Sequence, residues 1–386
     1  MVTGESKRVS WVELYFDLVF VLAVAQVAHA IGGHPGWGGV WAAFGLFVLL
    51  WWTWTGFALL YNRHGAETAL SSRLVILAGT VPCGLAAVAV HDAAEGHPRA
   101  FALSLGAARL ILGVAHAVIA GRPAARPAVG YLVSAAGFAT AAFLPSPTSY
   151  ILCGVMVAVE SRLSYTDTPP DRRRLRVADR MDLDALQPAA PGQAIDAHHF
   201  SERFGLFVII LLGEVVASAG LGALDGGHGH IAWLPLIAAI VLAGTLWWQY
   251  FDAAADMNRR MLEVAGGSQF VARAVFVSGH MLPAFAVISV AAGVRLLLAG
   301  GAPTGAYWLV SGGMAGYLAV TRTFSVRTGR LAHLGRIALA VATVELGWLG
   351  EVLPAAGYLG VVAGWGVLCA GVATWEAHRA ARLKAA

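Results

Sequence analysis

Charge is scarce in this sequence. Only 12% of its 386 residues are Asp, Glu, Lys or Arg, and 58% are hydrophobic. A soluble domain carries about 25% charged residues. A chain this poor in charge cannot clothe itself in polar surface, so its solvent is largely lipid. Cysteine is scarcer still. Cys83, Cys153 and Cys369 each sit inside an apolar run and no CxxC pair occurs. That argues against a disulfide framework or a metal knuckle and leaves three small core hydrophobes. No GxxxxGK[ST] phosphate loop is present, so any work the chain does draws on a gradient rather than on ATP. The net charge of +4 comes from cations at the ends of apolar runs, not from a basic stripe, which argues against nucleic acid as a partner. The residues call for no cofactor.

What the sequence does have in quantity is apolar length, 13 Trp and 46 Gly, as membrane helices do. Apolar runs divided by turn residues predict twelve spans: 10–31, 38–61, 72–91, 100–120, 129–145, 148–163, 203–222, 231–256, 269–298, 305–322, 335–353 and 355–376. Alternating them from a cytoplasmic N-terminus puts all but Arg99, Arg109 and Arg295 of the 26 Lys and Arg on the inner side. Lys7-Arg8, an apolar run and Ala28-His29-Ala30 imitate a signal peptide, but Glu13 and Asp17 interrupt the run, so no cleavage is expected. The expected class is an all-α integral membrane protein of the cell membrane, in contact with the lipid bilayer, with both termini cytoplasmic.

Residues 164–197 form the one long polar stretch. Its composition suits a solvated cytoplasmic linker, with a short surface helix near Arg172 to Leu186 whose arginines suit anionic headgroups. The two sides of the linker resemble each other. Trp51-Trp52 precedes Asn62-Arg63 at the same spacing at which Trp247-Trp248 precedes Asn258-Arg259. Gly79 and Pro82 find Gly279 and Pro283, and Leu144-Pro145 finds Leu353-Pro354. The expected organisation is two parallel six-helix repeats, 1–163 and 198–386. Many secondary transporters hold their substrate between such halves.

Ionisable groups inside a membrane cost about 2.5–3.5 kcal/mol on insertion scales, so they face a cavity or a partner. Glu13 and Asp17 are about 40° apart round a helix and share a face. Gln26 and His29 lie deeper, about 180° round from Asp17, which makes the first span interior on both sides. Glu214 lies mid-span behind Gly213, a residue small enough to admit another backbone. Arg109 needs an acid, for which Glu214 and Glu345 are the candidates. His116 and His280 lie within the fourth and ninth spans. Asp196, His198, His199 and Glu202 stand at the mouth of the seventh span, read first as an acidic helix start rather than a metal site. His34, His91, His97, His228 and His230 fall in external loops. Trp51, Trp52, Trp54, Trp247, Trp248 and Tyr250 either line a cavity or pack between helices, and Asp252 shares a face with Trp248.

Several of these residues fall in motifs. ELYFDLVFV (13–21), ERFGLF (202–207), LGE (212–214), the Trp247-Trp248 pair with Tyr250-Phe251-Asp252, and His280 with Pro283 resemble the bacterial low temperature requirement A family. The resemblance runs through both halves. It implies a multi-pass membrane protein, assigns no activity, and marks Glu13, Asp17, Glu202, Arg203, Glu214, Asp252 and His280 for attention. The first functional expectation is a secondary transporter of an unknown small molecule, with proton coupling as one form of its drive, Glu214 carrying the proton, Arg109 or His280 tuning it, and Asp17, Gln26 and His29 lining the path. An intramembrane enzyme acting on an isoprenoid or other lipid is the second, and a sensor or scaffold the third. Oligomeric state is not readable.

Overall fold

The computed structural model describes residues 7–120, 124–164, 194–226, 231–300, 303–323 and 330–385. The helix expected near Arg172 to Leu186, most of the linker, and His228 and His230 lie outside the described residues. Among the described residues the chain is helical and holds no strand. Its main helices are α1 (Trp11–Gly33), α2 (Trp37–His64), α3 (Leu70–Val88), α4 (Arg99–Ile119), α5 (Ala125–Ala141), α6 (Thr148–Ser164), α7 (Ala197–Asp225), α8 (Trp233–Val264), α9 (Gln269–Leu298), α10 (Thr304–Thr323), α11 (Arg330–Glu345) and α12 (Ala355–Ala385). Eight of them, α1–α4, α7–α9 and α12, are long and apolar enough to cross a membrane. By that measure, among the described residues, α5, α6, α10 and α11 are shorter or less apolar.

The surface shows why lipid is the solvent. Leu70, Leu74, Leu77, Val81, Leu85 and Val88 recur at helical spacing along one exposed face of α3. Trp11, Tyr15, Leu18 and Leu22 do the same on α1. Water would penalise such stripes, and hydrocarbon does not. The α1 stripe corrects one expectation. The helix is buried on one face, by Glu13, Phe16, Asp17, Phe20, Val24 and Val27, and open on the other, where His29 is exposed and Gln26 half-buried. His29 lies one turn from the helix end, with the His91 ring 6.1 Å from its own.

By internal contacts the chain forms two units: Met1–Ala30, Gly38–Phe204 and Met261–Val277, and Ile31–Trp37, Gly205–Arg260 and Ser278–Ala386. In the first, α3, α4, α5 and α6 pack in succession. In the second, α9 packs most extensively on α10, and α8 on α12. The α9–α10 seam is close because glycines face it. A Cβ on Gly293 would stand 2.8 Å from the Ala306 carbonyl oxygen, and one on Gly313 2.6 Å from that of Ala286. Small residues that admit a neighbouring backbone are the main means of packing helices in lipid. Gly213, expected to serve that way, has nothing within 4 Å of where its Cβ would be. Turns of π-helix widen the helices at His116–Ala120, Tyr250–Ala254 and Ala272–Ser278, each beside polar residues discussed below.

The two glycines should therefore respond oppositely to one methyl group. Gly313→Ala is expected to lower stability by about 1–3 kcal/mol through overpacking, and Gly213→Ala to cause no loss. Thermal unfolding in detergent micelles reads both, and an equal response would contradict the seam.

Candidate functional site

Ser10-x-x-Glu13 opens α1 as a capping box. The Glu13 Oε2 oxygen accepts from the Ser10 backbone N–H at 3.1 Å and from the Ser10 hydroxyl at 2.9 Å. Asp196 caps α7 in turn, its Oδ1 accepting from the His199 N–H at 2.9 Å. The caps fix the first turns of both helices, and those turns carry the charges. Arg203 donates from Nη1 to Glu13 Oε1 and from Nη2 to Asp17 Oδ1 at 3.0 Å. Trp54 Nε1 on α2 donates to the same Asp17 oxygen at 2.8 Å. His199 Nε2 meets Glu13 Oε2 at 3.0 Å. Glu13, Arg203, His199 and Trp54 are fully buried and Asp17 is 1% exposed. The two acids placed on one face by their spacing thus share one guanidinium.

Asn62 meets the histidine's other ring nitrogen. Its Oδ1 accepts from the Asp196 N–H at 3.0 Å, so its Nδ2 donates to His199 Nδ1 at 2.9 Å. In this arrangement Nδ1 is the acceptor, and Nε2 faces Glu13. The buried centre holds two carboxylates and one guanidinium, an excess of one negative charge. Asp17 Oδ2 and Arg203 Nε, both buried, have no hydrogen-bond partner. Lys7 stands at the edge, its ammonium donating to the carbonyls of Tyr61 at 2.6 Å and Gly65 at 2.8 Å and so capping the end of α2. Burial lowers the Lys7 pKa, and the negative charges of Glu13 and Asp196 oppose that shift. Rings enclose the guanidinium: Trp54 lies 5.8 Å and Phe16 5.9 Å from it, and Phe204 packs on Trp54 at 4.9 Å.

A second buried cation is matched differently. Arg109 donates from Nε to Glu160 at 2.9 Å and to Ser134 at 3.1 Å, and from Nη1 to Thr53 at 3.0 Å, with the Phe138 ring 4.0 Å away. Its acid is therefore Glu160 on α6, not Glu214 or Glu345. Glu345 is exposed, because α11 ends there and turns into the 3-10 helix Leu346–Glu351. Glu214 is buried and accepts from the Ser218 hydroxyl one turn on, at 2.7 Å.

The other expected residues lie apart from the acid centre. Glu202 is exposed, with one oxygen accepting from the Val9 N–H at 3.2 Å. His198 is exposed while His199 faces inward, so the site takes the other member of the pair. His280 pairs with the Tyr250 hydroxyl at 2.9 Å. Trp248 donates to Thr374, which donates to Asp252 at 3.0 Å, all near the surface. The tryptophan runs divide: Trp51 and Trp54 are buried packing residues, and Trp247 and Trp248 are about half exposed. Sequence reasoning missed Ser10, Asn62, Trp54 and Lys7 as partners, and Glu160 altogether. The S-x-x-E capping box was a readable signal for Ser10. Glu160, the one acid of the sixth expected span, was another.

Removing one member of a buried ion network strands the rest, at about 3–5 kcal/mol. Arg203→Gln should cost that much, while Glu202→Gln, one residue away and exposed, should cost under about 1 kcal/mol. Thermal unfolding of the two purified variants checks the contrast.

The family model for bacterial low temperature requirement A protein matches residues 8–373. An uncharacterized protein of Rhizobium meliloti (strain 1021) is 25% identical over 386 residues, covering 96% of this chain and 90% of that protein. No solved structure matches. With nearly its whole length matched, this membrane protein belongs to the bacterial low temperature requirement A (LtrA) family.

Proposed function

We propose that the chain is a secondary transporter of the plasma membrane that moves a small molecule in exchange for, or together with, protons. In this reading twelve helices span the bilayer as two parallel six-helix repeats, 1–163 and 198–386, joined by the linker 164–197, with both termini cytoplasmic. The orientation rests on the distribution of Lys and Arg between the ends of the spans. The observation that carries the reading is the unbalanced acid centre. Two buried carboxylates share one guanidinium, and Asp17 Oδ2 has no partner. A proton on that oxygen removes a buried negative charge and leaves the bonds of Oδ1 to Arg203 and Trp54 in place. The groups facing Asp17 are then Glu13 on its own helix, Arg203 and His199 on α7, and Trp54 on α2, with Lys7 at the edge.

Asp17 takes the carrier role first expected of Glu214. Glu214 is bonded to Ser218, and the cations expected to tune it are engaged elsewhere, Arg109 with Glu160 and His280 with Tyr250. Gln26, Trp248, Asp252 and Glu214 remain proposed contributors to the substrate path.

Two sets of liposomes carrying the purified protein, one acidified outside for uptake together with protons and one acidified inside for uptake in exchange for them, both given a mixture of bacterial metabolites, test the reading. Mass spectrometry of their contents should show one class of solute accumulating above protein-free liposomes. Asp17→Asn should reduce that accumulation at least tenfold while inserting normally. No accumulation, or undiminished accumulation in the variant, would contradict it.

A further inference from the structure

A small chamber lies within the first unit. Its volume is about 30 Å³, enough for one or two water-sized groups. Trp52, Thr55 and Arg63 of α2, His116 at the end of α4, Tyr131 of α5 and Gln269 of α9 line it, with apolar residues between them. His116 is only 6% exposed and stacks on Tyr131, ring centroids 5.3 Å apart and planes 9° apart. The stacking fixes the imidazole edge, yet Nδ1 is buried without a hydrogen-bond partner. Gln269, with its amide oxygen turned to Arg63, accepts from Nη2 at 3.1 Å and from Nη1 at 3.2 Å and so holds the guanidinium at the wall. Among the described residues lining the chamber, Arg63 is the one full cation and none is an acid.

A buried polar atom without a partner in a native fold calls for an explanation. His116 lines a cavity in which, among the described residues, Arg63 is the one full charge. With its proton on Nδ1, His116 offers a donor to an occupant that reaches its ring edge, beside a guanidinium whose field favours negative charge. The volume admits a small ion, not a whole metabolite.

We propose that this chamber binds a compact monovalent anion, either a free halide or a carboxylate as small as formate. The aromatic wall of Trp52 and Tyr131 would pack against the apolar side of a carboxylate. The inference stands apart from the transport reading, because binding is measured in detergent without any gradient.

The test is the thermal stability of the purified full chain titrated with sodium chloride, sodium formate and sodium gluconate at constant ionic strength. Saturable stabilisation by formate alone assigns the site to carboxylates, and by chloride alone to halides; stabilisation by both supports the shared chemistry. Gluconate, too large for the space, should give no saturable response. His116→Phe keeps the stacking on Tyr131 but removes Nδ1, and should weaken half-saturation at least tenfold. Should that variant fail to fold, Arg63→Gln, which can still pair with Gln269, is expected to weaken it as much. No saturable response to either small anion, or the same response to gluconate, or unchanged affinity in the folded variant, would overturn the proposal.

Discussion

A guanidinium cannot shed its proton inside a protein. Arg203 is fully buried, so negative charge must be brought to it, and the first unit is arranged around that demand. Glu13 and Asp17, one turn apart on α1, supply it from residues 190 and 186 positions away. To bring them there, α1 must start where Ser10 caps it, α7 must start where Asp196 caps it, and α2 must present Trp54 and Asn62 between them. The aromatic residues around the cation exclude water, which strengthens every interaction within. Local capping, helix register and long-range pairing thus converge on one residue.

The chain buries cations in two ways, and the difference bears on function. Arg109 meets one carboxylate, Glu160, and also donates to Ser134 and Thr53, while Arg109 Nη2 and Glu160 Oε1 have no hydrogen-bond partner. That is a one-to-one pair joining α4 to α6, and its formal charge is zero. Arg203 meets two carboxylates, Glu13 and Asp17, so that its centre carries one carboxylate more than it has guanidinium groups, and Asp17 Oδ2 is left without a partner. A balanced buried pair locks helices together. An unbalanced one has a charge to lose, and a proton is the smallest carrier of that charge able to enter a packed site. The same property suits a centre that alternates between two protonation states.

Much of the architecture was legible in the sequence, for a physical reason. Lipid demands long apolar helices with internally satisfied backbones, so apolar runs such as 72–91 and 269–298 mark helices with few alternatives. The shared face of Glu13 and Asp17 was readable from their spacing, because helical periodicity is local. Their partner was not, since nothing local in α1 encodes which of two dozen arginines will reach it. The ELYFDLVFV and ERFGLF stretches, which carried the family resemblance, turn out to meet: Glu13 and Asp17 come from one and Arg203 from the other. Arg109 was assigned the wrong acids because mid-span position was weighed and helix neighbourhood could not be. Glu345 has a mid-span address but an exposed side chain, since the helix ends beneath it. His29 misled in the opposite sense: its angular position was right, but its side of the helix is open, with the His91 ring 6.1 Å away.

The account rests on Asp17 being able to take up a proton while Arg203 stays engaged. Infrared difference spectroscopy of the membrane-reconstituted protein across a pH titration measures this directly. A protonated-carboxyl band that grows on acidification, is lost in Asp17→Asn and persists in Glu160→Gln is the predicted result. A band absent from the unaltered protein, or unaffected by the loss of Asp17, would contradict the claim that the acid centre is the proton-accepting element of this fold.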